Sequence, residues 1–338
     1  MDVSLVDLSP VPRDGTAADA YANTITSAQQ AERLGYSRFW VAEHHGRANA
    51  LAGTTPEVLL GRLAGATDSI RLGSGAVLLN HYSPFKVAEV FGALDSLAPG
   101  RVDAGLGRAN GSPASDQALG TERHVEDPDG DHREKIEAVL SHLYDEYPDG
   151  HPYADLSVPA SGEGPAKPWV LGSSPSSAEI AGDLGLPYCF AAFIRPQFAE
   201  HSIETYRERF ESSSFAGGVD EPRVMVALNA IAAETDEEAA RRRAVAEATY
   251  KRMRRGEFGS RPTIEESIDE LGGVPDPTPE TLGEDEWPRA ISGSPETISS
   301  LFDQLAARVG ADELMVQNVT PDHETALDSH ERIAEGVL

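Results

Sequence analysis

Three adjacent titratable side chains, Glu43, His44 and His45, follow the apolar run Phe39-Trp40-Val41. A short β-prone run that stops abruptly in polar residues reads as a buried strand whose carboxyl end delivers side chains into a pocket. Histidine changes charge near neutral pH, so this trio can supply a base, a donor and a charge. The plainer alternative is that one histidine caps the next segment and the other packs. A metal site is not expected. Adjacent strand residues point to opposite faces, so His44 and His45 do not readily chelate one ion. Neither H-x-H nor H-E-x-x-H occurs.

Two further stretches carry residue types suited to an anion. Arg101-Val-Asp-Ala-Gly-Leu106 reads as a strand running into Gly107-Arg108-Ala109-Asn110, and a glycine-rich strand end with one arginine suits an anion or a flat ring. Pro168-Trp-Val-Leu171 is followed by Gly172-Ser173-Ser174-Pro175-Ser176-Ser177 and a helix. Backbone N–H groups, hydroxyls and the positive helix end converge at such a turn, which predicts a phosphate cradle, with an ordinary serine N-cap as the alternative.

The elements that must hold these residues alternate along the chain. Strands are expected at 3–8, 39–41, 70–79, 101–106, 168–171, 187–193, 223–232 and 312–318, with helices between them. Gly35 stops the helix that precedes the Glu-His-His strand. In 70–79, Gly73 and Gly75 imply close approach by a ligand or another backbone. Residues 256–292 break the rhythm, being acidic, rich in Pro and Gly and weakly periodic, and are read as a mobile lid after the seventh strand. Eight strands alternating with helices fit one α/β domain over 1–338, a (β/α)8 TIM barrel, better than a doubly wound sheet. Ligand sites of such barrels lie at the carboxyl ends of the strands, where the trio falls.

Composition narrows the function classes. The chain has 338 residues and a net charge of −28, from 56 acidic and 28 basic residues. Only Lys86, Lys135, Lys167 and Lys251 are lysines. Acids spread over the whole chain exclude the basic stripe that nucleic acid requires. This acidic, lysine-poor balance is similar to that of proteins from salt-loving cytoplasms, and predicts loss of stability at low salt through self-repulsion. No apolar run reaches membrane-spanning length, and no basic-then-apolar leader is seen, so a cytoplasmic location is expected. The single cysteine, Cys189, is expected in a buried strand.

Taken in order, the segments Phe39-Trp-Val-Ala-Glu-His-His45, Arg71-Leu-Gly-Ser-Gly-Ala76, Pro99-Gly-Arg-Val-Asp-Ala-Gly-Leu-Gly-Arg108, Leu171-Gly-Ser-Ser174, Leu184-Gly-Leu-Pro187 and Asp312-Glu-Leu-Met315 resemble the bacterial luciferase-like flavin monooxygenases. The resemblance spans nearly the whole chain. It implies a barrel that binds reduced FMN at its mouth, usually as a homodimer, and uses O2 to oxidise a small organic substrate. It places His44 near the reactive face of the flavin as acid or base, oriented by Glu43 or His45. Gly75 and Ala76 lie under the ring, Arg108 reaches the phosphate with Asn110 nearby, and Ser173, Ser174 and Ser177 form the phosphate turn. Two departures, Gly107 in place of a reactive cysteine and Ser173 in place of an acid, point to the simpler single-subunit members. The chain shows no glycine fingerprint of a dinucleotide fold, so reduced flavin is expected from a separate reductase. The alternative on the same barrel is F420-dependent hydride transfer. A metal-dependent hydrolase and a non-catalytic flavin-binding protein are more distant readings.

Overall fold

A computed structural model describes residues 1–109, 112–120, 127–213, 215–283 and 287–338. The strands are β1 (Asp2–Asp7), β2 (Arg38–Val41), β3 (Arg71–Ser74), β4 (Val77–Leu78), β5 (Val102–Gly107), β6 (Lys167–Gly172), β7 (Tyr188–Ala191), β8 (Val224–Ala232), β9 (Ala290–Gly293) and β10 (Glu313–Gln317). The helices are α1 (Ala17–Leu34), α2 (Pro56–Ala64), α3 (Pro84–Leu97), α4 (Pro113–Ala118), α5 (Pro128–Leu143), α6 (Pro175–Asp183), α7 (Ala199–Arg209), α8 (Asp236–Arg254), α9 (Ile264–Leu271), α10 (Pro295–Val309) and α11 (His323–Val337). Eight strands close in the order β10-β1-β2-β3-β5-β6-β7-β8, and β8 returns to β10. Every pairing in this ring is parallel. The expected (β/α)8 barrel is therefore the observed one.

Local chemistry explains the elements that place the site. Thr16 and Asp19 form a capping box at the start of α1, and Gly35 closes it with φ of +89°, a left-handed conformation that favours glycine. β2 follows at once, between β1 and β3. Along β2 the side chains alternate: Phe39 and Val41 pack outward in the large core against the helices, while Trp40 and Ala42 join the barrel interior.

That interior is layered. At its base Arg38 pairs with Asp103 at 3.2 Å and with Glu313, and Arg71 pairs with Asp103 at 2.8 Å. Above it Trp40 meets Trp169 edge to face, with centroids 6.0 Å apart, a favoured aromatic geometry. Smaller side chains, among them Ala42, Cys189, Ala227 and Met315, lie above the tryptophans and floor an open cavity.

Three expectations change. The strand expected over 70–79 is two, β3 and β4, separated by Gly75–Ala76, whose peptide bond is cis. Gly73 answers to neither ligand nor backbone, because a Cβ there would lie 2.2 Å from the Trp40 ring. Residues 256–292 are not one irregular stretch. They contain α9, begun by a Thr263–Glu266 capping box, and most of β9, which pairs with β8. Arg243 of α8 also fixes Thr278 at 2.6 Å and Ser292 at 3.2 Å.

Candidate active site

The cavity at the carboxyl ends of the strands has a volume of about 1300 Å³. Glu43, His44, His45, Gly75, Ala76, Arg108 and Ser173 all line it. Asn110 lies outside the described residues.

Beyond the end of β2 at Val41 all three residues of the trio border the cavity, with Glu43 and His45 hydrogen-bonded to each other and the His44 ring to neither. Glu43 is buried and acts as an anchor. Its carboxylate accepts from the Leu78 N–H at 2.9 Å and the Tyr82 hydroxyl at 2.7 Å, and meets His45 Nε2 at 2.5 Å. Burial first, and the Glu43 carboxylate second, push the Tyr82 phenol up. Glu43 therefore ties the end of β2 to β4 and the turn before α3. Among the described residues no hydrogen bond links the His44 ring to Glu43 or His45, so the expected orienting contact is not seen. His44 is held instead through its backbone, whose N–H donates to the Gly53 carbonyl at 2.7 Å. Its Nδ1 is covered and has no hydrogen-bond partner among the described residues. Burial, helped by the positive Arg47 and by His45, lowers the His44 pKa to about 4. The ring is therefore neutral at pH 7.

Beside His44 the wall is nearly free of side chains. Gly75 and Ala76 after β3, Gly107 and Ala109 at β5, and Gly172 at β6 follow one another around the rim. A Cβ on Gly107 would lie 2.8 Å from the Ala76 Cβ, and one on Gly172 would lie 2.1 Å from the Ser177 hydroxyl. Three successive strand ends thus close into a smooth face that admits a flat ring.

Arg108 and Ser173 stand where this face meets the helix termini. Arg108 donates to Asp129 at 2.5 Å and to the Pro128 carbonyl, at the start of α5. Although burial opposes ionisation of Asp129, hydrogen bonds from Ser176 and Arg108 hold its carboxyl below the usual range. Ser174 and Ser177 do not line the cavity. The Ser177 hydroxyl donates to the Ser174 carbonyl at 2.6 Å and accepts from the Tyr188 hydroxyl at 3.0 Å. For these two the N-cap alternative describes the structure, and Ser173 alone of the three faces the cavity.

Residues absent from the sequence reading complete the mouth. Arg47 lies 3.6 Å above the Phe258 ring, a cation–π contact that joins the loop after β2 to residues 255–262. Tyr250 and Gln317 line the far wall, with Arg261 and Arg289 beside them. A signal for part of this group was present: residues 251–261 hold five of the 28 basic residues in a strongly acidic chain.

Residues 1–313 match the family model described as luciferase-like monooxygenase. A luciferase-like monooxygenase of Escherichia coli (strain K12) is 34% identical over 330 residues, covering 97% of this chain and 94% of that protein. The N-acetyl-S-alkylcysteine monooxygenase of Bacillus subtilis (strain 168) is 41% identical over 238 residues, covering 70% of this chain and 69% of its own length. Among solved structures, apo-MsnO8 superposes with a TM-score of 0.85 at 38% identity, covering 99% of this chain and 98% of its own. With its closed parallel barrel and the Glu43-His44-His45 strand end, the chain belongs to the luciferase-like monooxygenase family.

Proposed function

We propose that the protein is a monooxygenase that uses reduced FMN and O2 to oxidise a small organic substrate. The observation that carries this reading is the side-chain-free wall running from His44 to Arg108 and Ser173. It has the shape for a planar ring at one end, and at the other the guanidinium of Arg108, which would exchange Asp129 for a phosphate. Gly75, Ala76 and Gly107 would lie against the ring, and Arg108 with Ser173 would hold the phosphate through charge-assisted hydrogen bonds. Reduced FMN supplies the electrons and the centre at which O2 is activated. The chain supplies the surroundings. Neutral His44 offers a hydrogen bond at the wall, and the apolar floor keeps water from the reacting atoms. No described helix is long and apolar enough to cross a membrane. Within this reading the protein works in a salt-rich cytoplasm as a homodimer and takes reduced flavin from a separate reductase.

The test is an anaerobic titration in molar salt with reduced FMN and reduced F420 side by side, repeated with oxidised FMN and riboflavin. Reduced FMN is expected to bind more tightly than reduced F420. Replacing Arg108 by Gln should weaken FMN binding by roughly 10- to 100-fold, the scale of a lost charged hydrogen bond, while riboflavin, which lacks the phosphate, binds unchanged. Preference for F420 would move the protein to hydride transfer. An equal loss for FMN and riboflavin would remove Arg108 from the phosphate.

A further inference from the structure

Arg261 and Arg289 lie on the side of the cavity formed by β8, β9 and β10, two strands round the barrel from β6 and Ser173. Their surroundings differ from those of Arg108, Arg252 and Arg255 in the same cavity. Arg108 has Asp129, and Arg252 and Arg255 share Glu270. Among the described residues, Arg261 forms no ion pair. Its Nη1 donates to the backbone carbonyls of Thr320 at 3.1 Å and Asn318 at 3.4 Å. Asp7 adds a favourable field without closing an ion pair, its Oδ1 accepting from the Ser9 N–H at 2.6 Å and the Thr24 hydroxyl at 2.8 Å. Arg289 likewise donates to two carbonyls, those of Ile194 at 3.0 Å and Phe193, and stands 5.3 Å over the Tyr250 ring. Tyr250 is fixed in turn by Asn229 at 2.7 Å and Gln317 at 3.3 Å.

Both guanidinium groups are half-buried at the cavity wall and hold only neutral acceptors, so each keeps donors for an anion entering the cavity. The planar fork of donors matches a carboxylate in particular. The floor between this pair and His44 is apolar, made by Leu8, Ala42, Leu171, Ala227 and Met315. The two features together describe a molecule with an apolar body and one acidic end.

We propose that Arg261 and Arg289 form a carboxylate-binding subsite, so that the substrate is a small organic acid held by its carboxylate with its apolar part over the barrel floor. This inference rests on reading the cavity as the substrate site. It gives the two anions separate poles, the cofactor phosphate at Arg108 and the substrate carboxylate at Arg261 and Arg289.

The experiment compares hexanoate with hexanamide, which keeps the body and removes the charge, by calorimetry at fixed salt. The proteins are wild type, Arg261→Gln, Arg261→Lys, Arg289→Gln and Arg108→Gln, each confirmed folded by its melting transition. Wild type should prefer hexanoate by about tenfold or more, the scale of a hydrogen-bonded charge. The preference should vanish in Arg261→Gln, persist in part in Arg261→Lys and Arg289→Gln, and remain whole in Arg108→Gln. Equal binding of the two probes to wild type would overturn the proposal. So would a preference that survives Arg261→Gln, or competitive displacement of hexanoate by FMN, which would give these arginines to the cofactor. A parallel FMN titration separates the two readings. Failure of FMN to bind, with the hexanoate preference intact, would remove the cofactor assignment and leave the carboxylate subsite standing.

Discussion

His44 combines two properties that constrain its chemistry. Its ring faces a cavity, yet burial first, with Arg47 and His45 beside it, lowers its pKa to about 4. A histidine of that kind is not a reservoir of protons at pH 7. It can donate one N–H or accept one hydrogen bond, and it becomes cationic only in acid. The ionisation of His44 should therefore not shape the pH dependence of kcat/KM between pH 5 and 8. NMR titration of the free protein should return an apparent pKa near 4 for this ring, and a value near 6.5 would contradict the buried environment. If the ring takes part in the reaction, His44→Ala should lower turnover by about 100-fold or more. His44→Asn, which retains a hydrogen-bonding group, should lose less.

At the scale of elements, the barrel depends on one glycine facing one tryptophan. Trp40 reaches across the interior to Trp169, and Gly73 on the neighbouring strand leaves room for its ring. Gly73→Ala places a methyl group inside that ring, and such overpacking costs about 1–3 kcal/mol. Denaturant unfolding should show this loss, and Trp40→Leu should cancel much of it, since contacting residues do not act additively. The glycine was visible in the sequence and its partner was not, because the contact crosses between strands 33 residues apart in the chain. The eight barrel strands were legible for the opposite reason. Strands of a parallel barrel, covered on both faces, show as continuous apolar runs. β9 was missed because its four residues follow a long acidic connection and make an addition to the edge of β8 rather than a ring strand. Within the site, strand ends were readable from local pattern. The pairing of Glu43 with Tyr82, the capping use of Ser177 and the gathering of Arg261 with Arg289 are all set by packing between distant segments.

For the whole molecule, two electrostatic terms act in different directions along the salt and pH axes. A net charge of −28 repels itself, most strongly in the compact state. Salt shortens the range of that repulsion to about 3 Å at 1 M, so the melting temperature should rise between low and molar salt. Equal values would refute the assignment to a salt-rich habitat. In molar salt the pH dependence then reports groups buried on folding. His44 and His132 are lowered to about 4, and His330, packed edge-on to Tyr36 and facing His323, to about 3, burial being the main cause in each. Below pH 6.5 the unfolded chain takes up protons that these three rings refuse, so their contribution is full above pH 6.5 and is lost as pH falls towards 4. Glu313 acts oppositely. Burial raises its pKa to about 7, with Arg38 opposing, so the folded state holds a proton there that the unfolded chain releases above about pH 4.5. His81, His142 and His323 are lowered by burial as well and Glu57 is raised, so among the described residues six rings against two carboxyls leave a net loss of stability on acidification. Each ring contributes at most about 1.4 kcal/mol per pH unit. Urea unfolding in molar salt should therefore show stability falling from pH 6.5 to pH 4.5. In His330→Gln that slope should be shallower by close to one proton, and an unchanged slope would mean that the buried His330 ring accepts its proton in the folded state.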